Sequence, residues 1–526
     1  MEANMSKFNN TKEDSRVLNY MGEKAYEYTD INKILTILFT SFVENSYYET
    51  SNNLTDRFKE LISNSKDLKF IAKAILFARN EFGMRSISHV GAAEIAKLVK
   101  GERWTKDFFN QIICRPDDMA EILALIRVNK KTPIPQALKK GFKLAFNKFD
   151  NYQLGKYKLN NKNFSMIDII NLVHPIPTER NKEALTSLIK TGTYSVDTWE
   201  TNISNVGQVT NSEDEKTKLK STEWENLVIN NKLGYFALLR NLRNIITYCP
   251  HIIDTVIEQL VDPVRIKKSL ILPFRFVSAY KAIEEMNDTG IFESDKTIKT
   301  KLLDGIDAAI TCSIQNIPRI PGKTLILSDN SGSMGGDAYN TSFTSMMSKT
   351  TTAQIANLFA TLYWLRADDT CVGLFGDRII FPNLNRDLNV MKNLKIMSAE
   401  SSKCGGGTET GIYEMFDKMI NEKIIVDNIV IFSDCQIGTG CNWYTSSSYK
   451  NGYKSSWADF GKVYNAYKKF NPNFKIISVD LKGCGTTVFD DSVVKLSGWS
   501  SKIFDIMELI NTDKHALINL IDKIYI

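Results

Sequence analysis

The chain has 526 residues, 43% hydrophobic and 24% charged, with a formal net charge of +6. At roughly 150 residues per domain this allows about two to four domains, and the composition is that of a globular protein rather than a disordered or fibrous one. Eight cysteines without a Cys-x-x-Cys pair, and only four histidines, argue against zinc and against catalysis by a histidine pair. No apolar run approaches the roughly 18 residues of a membrane span, and the polar start MEANMSKFNNTKED has no signal core. The expectation is a cytoplasmic protein with reduced thiols, no membrane partner and a monomeric state. Its surplus of basic residues falls almost entirely before residue 319, which permits a local basic patch for nucleic acid.

From about residue 30 to 315 the chain reads as helix after helix. In DLKFIAKAILFARNEF (67–82), Leu68, Ile71, Ile75 and Ala78 recur at helical spacing. ALKKGFKLAFNKF (137–149) puts Leu138, Phe142, Ala145 and Phe149 on one face and Lys139, Lys140, Lys143 and Lys148 elsewhere. WENLVINNKLGYFALLRNLRNIITY and ILPFRFVSAYKAIEEM continue the pattern, punctuated by Arg115-Pro116, Pro133, Pro135, Pro175, Pro177, Pro250 and Pro263. Many short amphipathic helices in pairs predict a HEAT-type solenoid. Lys130 and Lys131 join Lys139, Lys140 and Lys143 in one basic cluster. Lys156, Lys158 and Lys162 flank Tyr157 in a second, with His174 following. Lysines of this kind neutralise phosphates without reading bases. Arg240 is expected in a salt bridge that holds helices in register, whereas Arg243 is placed among the RNA contacts.

After the linker IQNIPRIPGK (314–323) the periodicity changes. TLILSD (324–329), CVGLFG (371–376), NIVIFSD (428–434) and KIISVDL (475–481) are apolar strands, and AQIANLFATLYWL (353–365) is an almost wholly apolar helix. Strand–helix alternation predicts a doubly wound parallel sheet, buried on both faces. The predicted fold class is therefore α + α/β, with domains at 1–318 and 319–526.

In LILSDNSGSMGG (325–336), Asp329, Ser331 and Ser333 stand two apart at a strand end, where ligands of such sheets bind. CGGGTET (404–410) adds Thr408, and FSDCQ (432–436) adds Asp434 at another strand end. These are hard oxygen donors, suited to Mg²⁺, with Mn²⁺ or Ca²⁺ as alternatives. A phosphate loop fails because Ile317 stands where GxxxxGK[ST] needs glycine, and a GxSxG elbow fails because no glycine stands at 331. One hard-cation site without an evident general base gives little chemistry, so no catalytic residue is assigned and no enzyme is expected.

The Asp-x-Ser-x-Ser loop with Thr408 and Asp434 resembles the metal-ion-dependent adhesion site of von Willebrand factor A domains. The resemblance implies that Asp329, Ser331, Ser333, Thr408 and Asp434 surround one divalent cation, which an acidic group of a partner often completes. LGYFALLRNLRNI (233–245), GKYKLNNKNFSMIDIINLVHPIP (155–177) and ILPFRFVSAYKA (271–282) resemble TROVE modules, and GWSSKIFDIMELI (498–510) is similar to the family's closing segment. A TROVE module followed by an A domain is the layout of the Ro autoantigen and its bacterial relatives. The resemblance implies a ring of HEAT-like helices closed by a Rossmann-like A domain. It implies small noncoding Y RNA on the outer face and single-stranded 3′ ends of misfolded RNA in the central hole, in RNA quality control or processing. Lys156 and His174 carry over as Y RNA contacts, while Asn160 and Asn161 stand near the place of a family arginine. An exonuclease, or an acidic protein ligand gripped at the metal site, is the further expected partner. A metal-dependent protein-interaction module is the alternative reading. CNWYTSSSYKNGYKSSW (441–457), with Tyr444, Tyr449 and Tyr453, reads as a surface loop near the metal face.

Overall fold

The computed structural model describes residues 16–526 apart from 46–47, 128–131, 158, 160–162, 207, 209–211, 287–295, 314–320, 337–342, 346–347, 368, 407–409, 439–456, 458, 511–512 and 514. Two short strands, β1 (Val17–Leu18) and β2 (Lys24–Glu27), precede the helical part. It runs through α1 (Asp30–Thr40), α2 (Ser51–Asn64), α3 (Leu68–Glu81), α4 (Arg85–Leu98), α5 (Thr105–Gln111), α6 (Pro116–Ile126), α7 (Gln136–Ala145), α8 (Asn151–Lys156) and α9 (Met166–Val173). It continues through α10 (Lys182–Thr191), α11 (Trp199–Val206), α12 (Glu213–Ile229), α13 (Tyr235–Arg240), α14 (Leu242–Tyr248), α15 (Ile253–Val261), α16 (Pro263–Ser269) and α17 (Pro273–Glu284), then helix Lys296–Ser313.

Local sequence chemistry sets these helices. Asp67 caps α3 by accepting from the Phe70 amide, and Ile71, Ile75 and Ala78 are fully buried along its inner face. Pro116 opens α6 at a position where its missing N–H costs nothing. α5 and α7 approach closely because Gly141 has no side chain: a Cβ there would stand 2.5 Å from the Cβ of Phe109. Lys148 donates to the Ile113 carbonyl at 2.6 Å and to the carbonyl of Asn110, fulfilling the C-terminal acceptors of α5. Successive pairs pack side by side, α3 on α4, α4 on α6, α11 on α12 and α15 on helix Lys296–Ser313, which is a solenoid. The stretch 233–245 is two helices rather than one. Asn241, with φ −102° and ψ 11°, ends α13, and its side-chain amide bonds the Ala237 carbonyl at 2.9 Å.

Beyond the solenoid come β3 (Thr324–Asp329), β4 (Phe343–Ser345), β5 (Ser348–Thr351), β6 (Thr370–Phe375), β7 (Ile379–Ile380), β8 (Asn428–Ser433), β9 (Lys475–Asp480), β10 (Thr486–Thr487) and β11 (Val494–Ser497). The main sheet has the order β11-β9-β8-β3-β6-β7, parallel except for the β7 edge. Alternate side chains face two cores. Ile326, Val430 and Val479 meet Phe359 and Phe504, while Leu325, Leu327, Ile429 and Ile431 meet Ile412, Phe416 and Phe460. A strand covered on both sides has no polar face, hence the unbroken apolar runs. Strand order reverses around β3, so the crevice at its carboxyl end is the natural binding position.

Both ends of the solenoid fasten to the domain that carries this sheet. β2 pairs antiparallel with β10, Glu27 opposite Thr486, and α1 packs on β11. Lys502 reaches Glu81 of α3 at 3.3 Å. At the other end Lys281 of α17 donates to Gln354 at 3.0 Å, and Asp307 accepts from the Met391 amide at 2.8 Å. The sheet domain thus closes the helical curve into a ring.

Candidate metal centre and nucleic-acid interface

The loop after β3 is held by a buried amide network. The Asn330 side-chain oxygen accepts from Asn357 at 2.9 Å and from the Ser401 hydroxyl at 2.7 Å, and the Ser328 hydroxyl donates to Asn357 at 2.7 Å. Gly336 lets the loop turn back on itself: a Cβ there would stand 2.0 Å from the Asn330 carbonyl oxygen. The Gly332 amide bonds Gly406 O at 3.1 Å, bringing the glycine-rich stretch before Thr408 alongside. Thr408 itself lies outside the described residues.

The structure brings the other four predicted ligands together. The Ser331 and Ser333 hydroxyls are 3.2 Å apart, and the Ser333 hydroxyl donates to Asp434 at 2.7 Å. Asp329 accepts from the Ser331 amide at 3.0 Å and from the Ser433 hydroxyl at 2.5 Å. Asp329, Ser331 and Asp434 are fully buried and Ser333 nearly so. Burial, then the neighbouring Asp434 carboxylate, raises the Asp329 pKa well above the carboxylate range. Two buried carboxylates and two hydroxyls converging from adjacent strands are a donor set for a hard divalent cation. No cluster of three or more His, Cys, Asp or Glu side chains placed to hold a metal is found among the described residues. Two carboxylates and hydroxyls therefore make up the described set. Sequence reasoning missed Ser433, Asn330 and Lys482. Lys482, from the loop after β9, donates to the Ser333 carbonyl oxygen.

On the solenoid, a cavity of about 1070 Å³ opens between α8 and α11 on one side and α13, α15 and α16 on the other. Its cations are Arg115, Lys156, Arg240, Arg265 and Lys268, its aromatic rings Tyr157, Trp199, Tyr235 and Phe236, its acids Glu200, Glu258 and Asp262. Several are committed locally. Arg265 donates to Asn231, Gln259 and the Leu233 carbonyl at 2.8–3.0 Å, and Asp262 caps α16. Arg115 forks onto Asp117 at 2.7 and 3.0 Å and lies 4.5 Å from the Tyr157 ring centre. Lys156 lies 4.0 Å from Glu200. Arg240 and Lys268 are exposed, and no salt bridge to either is found among the described residues.

The salt bridge expected of Arg240 is not found among the described residues; Arg240, the last residue of α13, lines the cavity instead. Burial pushes the Arg275 guanidinium below its usual range; Glu44 opposes this and Arg240 adds to it. In the cavity lining, five cations stand against three acids. Arg243 is exposed on α14 and does not line the cavity, nor do Lys139, Lys140 and Lys143, which stand partly to fully exposed on α7. His174 is the exposed C-cap of α9 in the left-handed conformation, φ +47°, which Pro175 follows. Lys130, Lys131, Lys158 and Lys162 lie outside the described residues, as do Tyr444, Tyr449 and Tyr453. Trp199, Phe236 and Lys268 went unread in the sequence, where IKKS (266–269) was the available signal.

Comparison with known proteins converges on one family. The TROVE domain model matches residues 36–223 and 197–316, together more than half of the chain. Telomerase protein component 1 of Rattus norvegicus is 20% identical over an alignment of 326 positions, covering 45% of this chain and 12% of that protein. The crystal structure of the Deinococcus radiodurans RO (RSR) protein superposes with a TM-score of 0.54 at 16% identity, covering 90% of this chain and 97% of that one. That likeness establishes the fold, a helical solenoid joined to a doubly wound, mostly parallel sheet domain. With a solenoid of paired helices matching the TROVE model over most of its length, the chain belongs to the TROVE domain family.

Proposed function

We propose that the chain is a non-enzymatic RNA-binding protein. It forms a ribonucleoprotein with a small noncoding, Y-like RNA and receives single-stranded 3′ ends of structured or misfolded RNA, in RNA quality control or processing. Membership of the TROVE family supports the RNA-binding part. The observation that carries the finer part is the cavity, where exposed Arg240 and Lys268 stand with Phe236 and Trp199. Phosphate neutralisation with counterion release supplies affinity, and aromatic faces accept any base. This suits single strands and frayed ends better than duplex. Lys139, Lys140, Lys143, Arg243 and His174 add contacts away from the cavity, and Lys156 adds one at its wall. The division at residues 318 and 319, with RNA on the first part and a Mg²⁺-type cation on the second, completes the reading.

The alternative, a metal-bridged grip on an acidic protein, is less favoured because the four described ligands are buried, leaving little surface for a partner's carboxylate. Fluorescence anisotropy with a labelled hairpin tests the reading. A hairpin with a single-stranded 3′ tail should bind more tightly than its blunt counterpart, with strong salt dependence and no turnover. Equal affinity for the two hairpins rejects the cavity as the 3′-end site. Capture of a protein alone, released by EDTA, favours the alternative.

A further inference from the structure

The carboxyl ends of β3, β8 and β9 gather three aspartates, Asp329, Asp434 and Asp480, each fully buried. Three acids in a dry crevice need positive charge close by, whatever ion visits. Lys482 supplies one. The Lys482 and Gly483 amides bond Asp480 at 2.8 and 2.7 Å, a tight turn with Gly483 at φ +70°. That turn carries the lysine back over the cluster, where its ammonium donates to the Ser333 carbonyl oxygen. The hydroxyl of the same Ser333 bonds Asp434 at 2.7 Å. The Tyr48 ring centre lies 5.9 Å from the Lys482 ammonium, and Tyr48 stacks on Tyr20 at 4.8 Å. Tyr20 in turn is anchored to Gln436 at 3.0 Å, two residues beyond Asp434. The lysine is therefore held at the ligand loop from both sides.

We propose that Lys482 is a tethered counter-cation of the metal loop, holding Asp329 and Asp434 together in the metal-free protein and competing with a divalent ion for them. The inference rests on the reading of this loop as a divalent-cation site. The ammonium sits on the Ser333 carbonyl oxygen while the hydroxyl of the same residue bonds Asp434, so one lysine is tied both to the loop that follows Asp329 and, through Ser333, to the carboxylate opposite. A divalent ion entering beside it meets like charge at short range, and the ammonium must swing away from the loop. The metal affinity of this protein is then set by the cost of expelling its own lysine.

The test uses the full chain with Mn²⁺ alone, titrated calorimetrically into wild type and Lys482→Met, with thermal melts in EDTA. Lys482→Met should bind Mn²⁺ about tenfold more tightly or better, since one unit charge at close range exceeds the roughly 1.4 kcal/mol of a decade. It should melt lower than wild type in EDTA and recover with Mn²⁺. Equal or weaker Mn²⁺ binding by Lys482→Met overturns the inference and leaves the metal site standing. Absence of Mn²⁺ binding in both proteins overturns the metal reading itself, and the competition with it. Where Lys482→Met does not fold, the double variant Asp329→Asn/Lys482→Met removes one charge of each sign. Its folding supports the counter-cation role, and its failure to fold overturns that role.

Discussion

Replacing Arg240 and Lys268 by alanine removes the two cavity cations that are exposed and make no salt bridge among the described residues. If each neutralises one phosphate of a single strand, the slope of log affinity against log salt becomes shallower by roughly 1.4, at about 0.7 per contact. Between about 50 and 200 mM salt the wild-type affinity should then fall by roughly sevenfold more than that of the double variant. Phe236 is 48% exposed and lines the cavity, leaving its ring face open to a base. Phe236→Ala should cost about 1–3 kcal/mol, one stacked base, with no change in salt slope. Anisotropy titrations of a tailed hairpin at four salt concentrations separate the two effects, and Arg240→Lys serves as the charge-preserving control. An unchanged slope in the double variant, with Phe236→Ala also silent, refutes the assignment of the cavity to RNA.

Reversing charge on the α7 cluster, as Lys139→Glu, Lys140→Glu and Lys143→Glu together, should weaken binding of the duplex portion while sparing the tail. Comparison of tailed and blunt hairpins reads this directly. Asp118 accepts from Arg85 at 2.8 Å, Arg79 at 3.3 Å and the amides of Cys114 and Arg115 at 2.9 Å, with His89 at 3.2 Å. Burial alone would raise its pKa, but the His89 contact and then the Arg79 and Arg85 charges hold it far below its ordinary value of 3.8. The unfolded chain therefore binds the proton first. The stabilisation is complete above pH of about 4 and is lost as pH falls. Urea midpoints should show Asp118→Asn less stable by about 3–5 kcal/mol at neutrality and with a flatter acid limb. Asp329→Asn should abolish the rise in melting temperature on adding Mg²⁺ without lowering the metal-free value, since it relieves the repulsion with Asp434; a retained Mg²⁺ response would exclude Asp329 as a ligand. Gly336→Ala forces a Cβ onto the Asn330 carbonyl and should cost roughly 1–3 kcal/mol, together with the Mg²⁺ response, in thermal melts.

The strands of the sheet domain were legible because burial on both faces favours unbroken apolar runs: 324–329 was predicted and is observed as Thr324–Asp329. The inner helix faces were equally plain, since Leu138, Phe142 and Ala145 repeat at the helical period and are fully buried. Asp329, Ser331 and Ser333 could be read because all three sit on one loop, and Asp434 because it ends an apolar strand. Lys482 could not, because 149 residues separate it from Ser333 and nothing in LKGCG marks a cation bound for another loop. The cavity was hidden for the same reason. Arg115, Trp199, Phe236 and Lys268 share no local pattern, and only the curvature of the solenoid sets them around one space.

Closure of the ring was the least legible feature, and the polymer physics of the chain explains why. β2 has four residues and β10 only two, less than a useful stretch of alternation, yet they join positions more than 450 residues apart. The entropic cost of closing a loop grows only logarithmically, about 0.6 kcal/mol for each doubling of length. Bringing Glu27 to Thr486 thus costs little more than closing half that span, and much of the intervening chain is already ordered by neighbouring helix pairs. A few contacts then suffice: the short strand ladder, Asn19 donating to the Ile437 carbonyl at 2.9 Å, and Tyr413 donating to Glu23 at 3.0 Å. Burial raises the Glu23 pKa and the Tyr413 hydrogen bond lowers it only in part. Contacts that need contribute so little need no distinctive sequence. That is why a solenoid of helices can be inferred from its repeating faces while its fastening is seen only in three dimensions.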